Sequence, residues 1–426
     1  MEYRKRIIDA LLDLKLESFG AALIVGPKGC GKTTSAKQKA KSIVEFQDED
    51  VRENLLSVAS ISPSNLLIGD KPRLFDEWQD APKLWGAIRK SIDDTGENGL
   101  YILTGSTSKE VVKPHTGTLR ISQLKRYPMS LYESGESNGK VSLVNLFDHP
   151  EDFSGCESEL TIDRLIFAIC RGGWPKSLTN KTDRSKLEVA KDLFTQTCTV
   201  DTQNISGTKR DPRIIKAILH SYSRNICTLA ESKTIYGDVQ ANYNLSQSTF
   251  FDYINDLQKL YIIEDIDAWC PSIRSKSAIR SSPKRNLIDP SIAVAALGLS
   301  PEYFNTDFKT LGFLFESLCF RDLKVYSSFF GGDISYYHDR YGLEADAVLH
   351  HNDGRYALIE FKLGSNEIDD GASHLNRIES LVKQYNEKET QCPLRRPTLK
   401  LIITGTQYGY KRNDGVFVIP IGCLKD

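Results

Sequence analysis

The chain of 426 residues carries 55 Lys and Arg against 56 Asp and Glu, a formal net charge of −1. This balance excludes a basic field over the whole molecule, so any surface that binds nucleic acid has to be local. The nine cysteines contain no CxxC pair, which argues against a zinc cluster or a disulfide framework and favours a reducing, cytoplasmic location. The early apolar run AALIV is too short to cross a membrane, and we expect no membrane association.

The first part of the chain alternates between helical and strand patterns. Apolar residues at helical spacing before Gly20 predict a helix, AALIV predicts a buried strand, and KTTSAKQKAKSIVEF predicts a second helix. Short strands at 73–75 and 101–105 complete the pattern of an α/β domain with a parallel sheet. The polar segment SLYESGESNGK that follows predicts a surface excursion.

A glycine-rich loop, GPKGCGKT, lies between the predicted strand and helix. It matches the phosphate-loop pattern G-x-x-x-x-G-K-[ST] in the structural context that the pattern requires. Such a loop turns consecutive backbone N–H groups toward an anion at a helix N-terminus. Lys32 is predicted to reach the β- and γ-phosphates of ATP, and the Thr33 hydroxyl to ligate Mg²⁺. The predicted nucleotide-binding residues of the loop are Gly26, Pro27, Lys28, Gly29, Cys30, Gly31, Lys32, Thr33 and Thr34.

The second half of such a site is a strand that ends in acidic residues. RLFDEWQDAP supplies Asp76 to hold the magnesium and Glu77 to polarise the attacking water. YILTGSTS ends a strand in Thr104 and Ser106, hydroxyl residues that suit a sensor of the γ-phosphate, although hydroxyls are common at strand ends.

Stretches over nearly the whole chain resemble the prokaryotic AAA-type ATP-binding proteins with a C-terminal domain of unknown function. These stretches include GAALIVGPKGCGKT, FDEWQDAPKLW, LTGSTS, GGWP, ESKTIYGDV, SSPKRNLIDPSIAVAALG and GFLFESLCFRDL. The resemblance implies that Asp76 and Glu77 are the Walker B acids and that the C-terminal domain has a restriction-endonuclease-like fold with PD-(D/E)xK motifs. It also implies a nucleotide contact for Arg120, from a neighbouring subunit of a homo-oligomer. An ordinary ion pair is an equal alternative for Arg120, because Leu119 stands where the family pattern has glycine.

Three helical patterns from Asp211 onward lead into the strand-like YIIEDI, an order typical of a winged helix. Its recognition helix would open at SQST (246–249). The linker RSKSAIRSSPKR (274–285) contains no acidic residue, and its basic side chains are candidates for contacting DNA or RNA phosphates. These basic residues are Arg274, Lys276, Arg280, Lys284 and Arg285. A winged helix that binds only a protein partner is the alternative.

A charged pattern marks two predicted strands in GLEADAVLHHNDGRYALIEFKLG. A three-residue turn at Asn352–Gly354 would place Asp346 opposite Glu360, in an Asp…Glu-x-Lys arrangement completed by Lys362. Two adjacent carboxylates suit Mg²⁺ or Mn²⁺, and Lys362 would orient a water beside the metal. Glu316, on a helix with mostly apolar neighbours, needs either this metal or a basic partner. Cross-strand ion pairs on a half-exposed sheet are the alternative.

The predicted architecture is α/β and multidomain. It comprises an AAA-type P-loop core at 1–155, a helical lid or connector at 156–205, a winged helix at 206–272 and a PD-(D/E)xK nuclease-like domain at 273–426. The predicted function is ATP hydrolysis coupled to action on nucleic acid. The alternative is a nucleotide-dependent switch whose nuclease-like domain is inactive and serves as a scaffold for a protein partner or for DNA.

Overall fold

A five-stranded parallel sheet organises the N-terminal part of the chain. The computed structural model describes residues 3–105, 117–204, 210–272, 281–339, 341–388 and 391–426. The strands of the sheet are β1 (Ala21–Val25), β2 (Ser42–Glu45), β3 (Arg73–Asp76), β4 (Tyr101–Thr104) and β5 (Ile121–Lys125). They lie in the order β2-β3-β4-β1-β5, so β1 is central and every residue of AALIV is buried, as a strand covered on both faces requires.

Helices cover both faces of this sheet. The helices are α1 (Ile7–Ser18), α2 (Lys32–Lys39), α3 (Arg52–Ile61) and α4 (Leu84–Thr95). Ala22 and Ile24 of β1 pack with α1 and α2, whereas Leu23 and Val25 pack in the cluster that includes α3 and α4. The alternation of side chains along β1 therefore divides this domain into two apolar layers.

The prediction of one helix over 32–46 was wrong in its second half. The helix α2 ends at Lys39, and β2 begins at Ser42. The β-branched residues Ile43 and Val44 pair with Leu74 and Phe75 of β3. Pairing with a neighbouring strand outweighs helix propensity where branched side chains lie together.

A helical region separates the two sheets. Its helices are α5 (Leu131–Ser134), α6 (Leu143–Asp148), α7 (Ile162–Arg171), α8 (Pro175–Thr179), α9 (Asp183–Thr199), α10 (Pro212–Arg224), α11 (Ser232–Gln240), α12 (Gln247–Lys259) and α13 (Pro290–Leu297). After α12 the chain pairs antiparallel through Ile263 with Leu287 and through Ile266 with Lys284. The predicted order of three helices followed by extended chain is thus present.

The segment predicted as a surface excursion is instead partly buried. Ser130 and Glu133 cap α5 reciprocally, and Glu133 also pairs with Arg6 at 2.9 Å. The Ser137 hydroxyl donates to the carbonyl of Leu424. Polar residues reach the interior here because Ser130 bonds within the cap of α5, and Glu133 and Ser137 find partners in distant parts of the chain.

A seven-stranded mixed sheet forms the C-terminal part, in the order β7-β12-β13-β11-β10-β9-β8. The strands in this part of the molecule are β6 (Val141–Ser142), β7 (Cys156–Glu157), β8 (Asp333–His338), β9 (Glu344–His350), β10 (Tyr356–Lys362), β11 (Leu399–Thr404), β12 (Tyr408–Lys411), β13 (Phe417–Pro420) and β14 (Leu424–Lys425). Helix α14 (Phe308–Ser328) packs on one face and α15 (Ile368–Lys388) on the other. The short β6 and β14 pair separately with each other.

Short 3₁₀ turns complete the structure. They cover Pro63–Leu67, Trp78–Asp80, Pro150–Asp152, Asp201–Asn204, Pro301–Asn305 and Ile421–Cys423. Within the described ranges, no helix combines the length and the apolar character needed to cross a membrane.

Candidate functional site

The phosphate loop connects β1 to α2 at the carboxyl edge of the parallel sheet. The Lys32 ammonium donates to the carbonyls of Gly26 and Pro27, each at 2.9 Å, and its side chain is almost fully buried. The loop passes so close to the Arg126 carbonyl that a Cβ at Gly26 would collide with it, and Gly26 has a φ of +145°. A glycine is therefore required there.

The predicted Mg²⁺ ligands Thr33 and Asp76 lie together. Because β1, β3 and β4 are parallel, the residues that follow them meet at one edge of the sheet. The Thr33 hydroxyl donates to Asp76 Oδ1 at 2.7 Å, and the Thr104 hydroxyl donates to the same oxygen. A hydroxyl and a carboxylate are hard oxygen donors that fit Mg²⁺. Ser106 lies outside the described residues.

Glu77 has a backbone conformation that is unusual for glutamate. Its φ of +54° and ψ of +45° place it in the left-handed region, directly after the last residue of β3. Its carboxylate accepts a hydrogen bond from the Gln79 side chain. Residues in this conformation are strained and cluster at active sites, which agrees with the predicted catalytic role.

A cavity of about 340 Å³ lies beside the loop. It is lined by residues from the chain start, from α2 and from α8, among them Tyr3, Gly31, Thr34, Gln38, Arg126 and Leu178. Arg126 is buried and donates to the Cys30 carbonyl at 2.9 Å. Burial, and then the neighbouring Arg6, lowers the pKa of Arg126. The cavity therefore combines apolar walls with a positive charge next to the phosphate loop.

The predicted lid or connector contacts the phosphate loop. The Lys28 ammonium lies 2.5 Å from Asp201 Oδ1, and the Asp201 side chain is 3% exposed. Trp174, from the GGWP motif, lies 3.9 Å from the place where a Cβ on Gly29 would stand. The loop is therefore close to the 156–205 segment at two places, Trp174 and Asp201.

Arg120 lies at the opposite edge of the parallel sheet from the phosphate loop. It immediately precedes β5, whose first residue pairs with Ala21, the first residue of β1. Its guanidinium pairs with Asp93 at 2.8 Å, which is the alternative foreseen for it. Contact with the nucleotide of its own chain is therefore excluded by position, and contact in a neighbouring subunit stays a prediction. Leu119, where the family pattern has glycine, adopts the left-handed conformation with a φ of +65°.

The hairpin of β9 and β10 has the predicted register. Its ladder runs from His350 opposite Tyr356 to Ala347 opposite Ile359, so the next residues along the strands are Asp346 and Glu360. On the β8 side the register shifts between Ser335 and Tyr337, so β9 bulges at residues 346–347. A bulge changes the direction of a side chain, and Asp346 Oδ2 accepts the backbone N–H of Phe361 at 2.8 Å.

Two lysines surround these carboxylates. Lys362 Nζ lies 2.7 Å from Glu360 Oε2 and 3.9 Å from Asp346 Oδ2. Lys284 Nζ lies 2.7 Å from Glu316 Oε1 and 3.9 Å from Asp346 Oδ1. Glu316 thus takes the basic partner that was the alternative to a metal.

Glu360 is 1% exposed, and its Oε1 accepts no hydrogen bond from the described residues. His374 Nδ1 lies 3.8 Å from this oxygen. Burial, and then the charge of Asp346, raises the pKa of Glu360 to about 8 against the opposing effect of Lys362. The negative charge of Glu360 is therefore poorly compensated by the neighbouring positive charges and hydrogen-bond donors.

The predicted metal ligands Asp346, Glu360 and Glu316 do not fit a divalent ion in this arrangement. Within the described ranges, no three His, Cys, Asp or Glu residues are grouped so that they could hold a metal ion. Both oxygens of Asp346 face an ammonium, and Glu316 is bonded to Lys284. The carboxylate oxygens of these residues are of the type that binds a divalent ion, but the ammonium groups of Lys284 and Lys362 lie where the ion would have to be.

This site opens into a cleft of about 890 Å³. Among the described residues, its wall includes four acidic residues, Glu316, Glu344, Asp346 and Glu367, and two basic residues, Lys309 and Lys362. An acidic cleft repels a phosphodiester backbone unless a cation is present.

The basic linker is only partly available for nucleic acid. Arg274, Lys276 and Arg280 lie outside the described residues. The prediction that Lys284 and Arg285 neutralise phosphates is wrong in this structure, because both are buried. Arg285 pairs with Asp265 at 2.7 Å and donates to the Ala230 carbonyl. Sequence reasoning missed Lys284 as the partner of Glu316, and the need of Glu316 for a cation was the signal that pointed to it.

Three family models match separate parts of the chain. Residues 18–135 match the model described as an AAA domain. Residues 162–303 match a domain of unknown function, DUF8612, and residues 311–424 match another, DUF4143. These limits divide the chain at other positions than the predicted domain boundaries. The chain has no match among the curated proteins compared with it.

Two solved structures resemble the chain at low identity. A Walker-type ATPase of Pyrococcus abyssi is 14% identical, with a TM-score of 0.42, over 68% of this chain and 94% of its own. A signal transduction ATPase with numerous domains, with a tetratricopeptide repeat sensor, from Pyrococcus horikoshii is 15% identical. Its TM-score is 0.24, over 74% of this chain and 47% of its own, so the chain spans about half of that protein. The family match over residues 18–135 and the P-loop within them identify this part of the chain as an AAA-type P-loop ATPase domain, and a DUF4143 domain occupies residues 311–424.

Proposed function

We propose that the protein binds ATP with Mg²⁺ at the phosphate loop and hydrolyses it, and that its C-terminal part acts as a nucleotide-dependent switch. The observation that supports ATP hydrolysis is the convergence of Lys32, Thr33 and Asp76 at the carboxyl edge of one parallel sheet. Glu77 follows Asp76 directly, at the position of a residue that polarises water.

Each residue has a distinct task in this proposal. Lys32 leaves the loop carbonyls and bonds the β- and γ-phosphate oxygens, while Thr33 and Asp76 would hold Mg²⁺, whose chemistry would be to neutralise phosphate charge. Glu77 orients the water whose oxygen bonds the γ-phosphorus as the bond to the bridging oxygen of ADP breaks, and it accepts the released proton. Thr104 acts as the sensor of the γ-phosphate through its hydrogen bond to Asp76.

The cavity beside the loop suits the nucleoside. Its apolar walls at Met129, Pro175 and Leu178 fit a base, and Gln38 supplies polar atoms for its edge. Arg126 adds positive charge on the side that faces the phosphates. A largely apolar cavity with a few convergent polar groups is typical of a small-molecule site.

The C-terminal part has features of two different roles. The order of α10, α11, α12 and the following antiparallel pairs supports a winged helix, and the Asp…Glu-x-Lys hairpin supports a nuclease-like domain that acts on nucleic acid. The burial of Lys284 and Arg285 and the acidic cleft favour the other role, an inactive nuclease-like domain that binds a partner.

Titration of a fluorescent ATP analogue with wild type and Lys32→Ala tests the proposal. The variant should bind at least about a hundredfold more weakly, because two charge-assisted hydrogen bonds of roughly 2 kcal/mol each are lost. The matched control is Lys37→Ala on α2, whose exposed pair with Glu45 lies outside the loop and whose loss should change affinity only a few-fold. Equal binding by wild type and Lys32→Ala would show that the site is misassigned.

The same titration with a DNA duplex present separates the two C-terminal roles. If nucleic acid binds in a nucleotide-dependent way, the affinity for ATP must shift by the same factor that ATP imposes on DNA binding. The switch with a protein partner predicts no shift even at low salt, where phosphate contacts are strongest.

A further inference from the structure

Lys284 is a buried lysine that reaches a catalytic-type carboxylate cluster from another segment of the chain. Its backbone pairs with Ile266 through hydrogen bonds in both directions, of 2.8 and 2.9 Å. Its side chain is 4% exposed and lies near the faces of the Phe320 and Tyr336 rings, at 5.8 and 5.7 Å from their centroids. These contacts fix the ammonium in place independently of the carboxylates.

The Lys284 ammonium lies between two of the predicted metal ligands, Glu316 and Asp346. On one side it bonds Glu316 at 2.7 Å, and on the other it lies 3.9 Å from Asp346 Oδ1 and 3.4 Å from the Asp346 carbonyl. A divalent ion shared by Glu316 and Asp346 would need the volume that Nζ fills. Burial alone would lower the pKa of Lys284, but the carboxylates of Glu316 and Asp346 outweigh it and raise the pKa, so the ammonium stays charged.

The carboxylates in this cluster outnumber the ammonium groups that face them. Three carboxylates, Glu316, Asp346 and Glu360, face two ammonium groups, Lys284 and Lys362. The deficit falls on Glu360, a fully buried carboxylate with one oxygen that accepts no hydrogen bond from the described residues. Glu360 Oε2 bonds Lys362, but a buried carboxylate oxygen without a donor among the described residues, such as Oε1, is an open position for a further cation.

We propose that Lys284 is a built-in cation that closes a latent divalent-metal site formed by Glu316, Asp346 and Glu360. In the wild-type chain the site takes no Mg²⁺ or Mn²⁺, and the cleft does not cut phosphodiesters. Removal of the ammonium opens the site to a hard divalent ion, because the carboxylates then lack a counter-charge. This inference is independent of the ATPase proposal, since none of its residues belongs to the phosphate loop.

Calorimetric titration of MnCl₂ without nucleotide tests the proposal on the full chain. Wild type is expected to show no binding that depends on Asp346, so wild type and Asp346→Asn should give the same heats. Lys284→Met should gain about one Mn²⁺ per chain, at least about tenfold tighter than any wild-type binding. Lys284→Met with Asp346→Asn should lose this gain. Lys284→Arg keeps the charge and should stay closed.

Lys400→Met is the matched control for the loss of a lysine. Lys400 pairs with Glu379 at the same 2.7 Å distance away from the cleft and should not create a metal site. A second variant guards against misfolding, because Lys284→Met leaves Glu316 buried without its partner. Lys284→Met with Glu316→Gln removes both charges, keeps Asp346 and Glu360, and should still bind Mn²⁺ when Lys284→Met does not fold.

Two results would overturn the proposal. One is Mn²⁺ binding by wild type that disappears in Asp346→Asn, which would mean that Lys284 does not close the site. The other is the absence of Mn²⁺ binding in whichever Lys284 variant is folded, judged by its thermal transition. Loss of ATP binding in Lys32→Ala affects neither result, so this test fails or succeeds separately from that of the ATPase.

Discussion

The left-handed backbone at Glu77 is the residue-scale feature with the clearest consequence. A glutamate with a φ of +54° sits where glycine would be favoured on conformational grounds alone. The conformation directs the carboxylate that follows β3 toward Gln79 at the edge of the sheet. The chain therefore retains a strained residue where the proposed chemistry needs a carboxylate.

Comparison of Glu77→Gly with Glu77→Ala separates this strain from the chemistry. Both variants should bind ATP and lose turnover, since both lack the carboxylate that orients the water. The glycine variant should be more stable than the alanine variant by about 1 kcal/mol, because only alanine keeps a Cβ in the left-handed region. Urea unfolding and phosphate release measure the two effects. Equal stabilities would show that the backbone is relaxed, and surviving turnover would remove Glu77 from the catalytic role.

At the scale of elements, Glu264 connects the parallel sheet to α14, the helix that packs on the C-terminal sheet. It follows α12 and pairs with Lys125 of β5 and, at 2.9 Å, with Lys324 of α14. The Tyr127 hydroxyl also donates to it. Burial would raise the pKa of Glu264, but Lys324 and Lys125 outweigh it and lower the pKa to about 2. One carboxylate thus joins the ATPase sheet to a helix of the C-terminal part.

The pH dependence of unfolding should report this cluster. Because the folded pKa is lowered from 4.5 to about 2, the carboxylate stabilises the fold fully above pH 4.5 and loses this effect as pH falls toward 2. Glu264→Gln should therefore cost about 3 kcal/mol near pH 7, and the difference from wild type should shrink by about 1.4 kcal/mol near pH 3.5. Denaturant unfolding at both pH values measures it. The control Glu45→Gln, in an exposed pair with Lys37, should cost under about 1 kcal/mol. A difference that grows on acidification would contradict the assignment.

Elements also show how far spacing alone predicts structure. The strand β1 and the helices α10, α12 and α14 were predicted because their apolar periods are regular. The strand β2 was missed because its branched residues continue the pattern of α2, and only pairing with β3 distinguishes them. The burial around α5 was missed because Glu133 and Ser137 find partners that lie far away in sequence.

At the scale of the whole molecule, one buried guanidinium connects the three family segments. Arg321 on α14 pairs with Asp289 at 3.0 Å and with Asp322 at 2.7 Å, and all three are buried. Asp322 accepts the backbone N–H of Leu131, and Asp289 accepts that of Gly173. The motifs GGWP, IDPS and FRDL, which carried the family resemblance, therefore meet in one structural network.

Arg321→Met should destabilise the whole chain by about 3–5 kcal/mol, since it leaves two buried carboxylates without a counter-charge. Calorimetry should show one transition for wild type, because the network joins segments that would otherwise unfold separately, and the variant should begin to unfold at a lower temperature in all three segments. Arg412→Met, which breaks pairs with the exposed Asp369 and with Asp414, should cost under about 1 kcal/mol. Two transitions, with that of the ATPase domain unchanged, would show that the network does not couple the segments.

The sequence by itself determined the phosphate loop, the acids after β3 and the register of the β9–β10 hairpin. These features are local, because a loop of eight residues or a three-residue turn contains within itself the spacing that defines its geometry. Only the tertiary structure decided which cation each buried carboxylate receives. Lys284 and Glu316 are separated by 32 positions, and a basic residue in a linker looks the same in sequence whether it faces phosphates or enters a core. Burial makes the difference, since a charge removed from water must find its partner wherever the packing of distant segments places it.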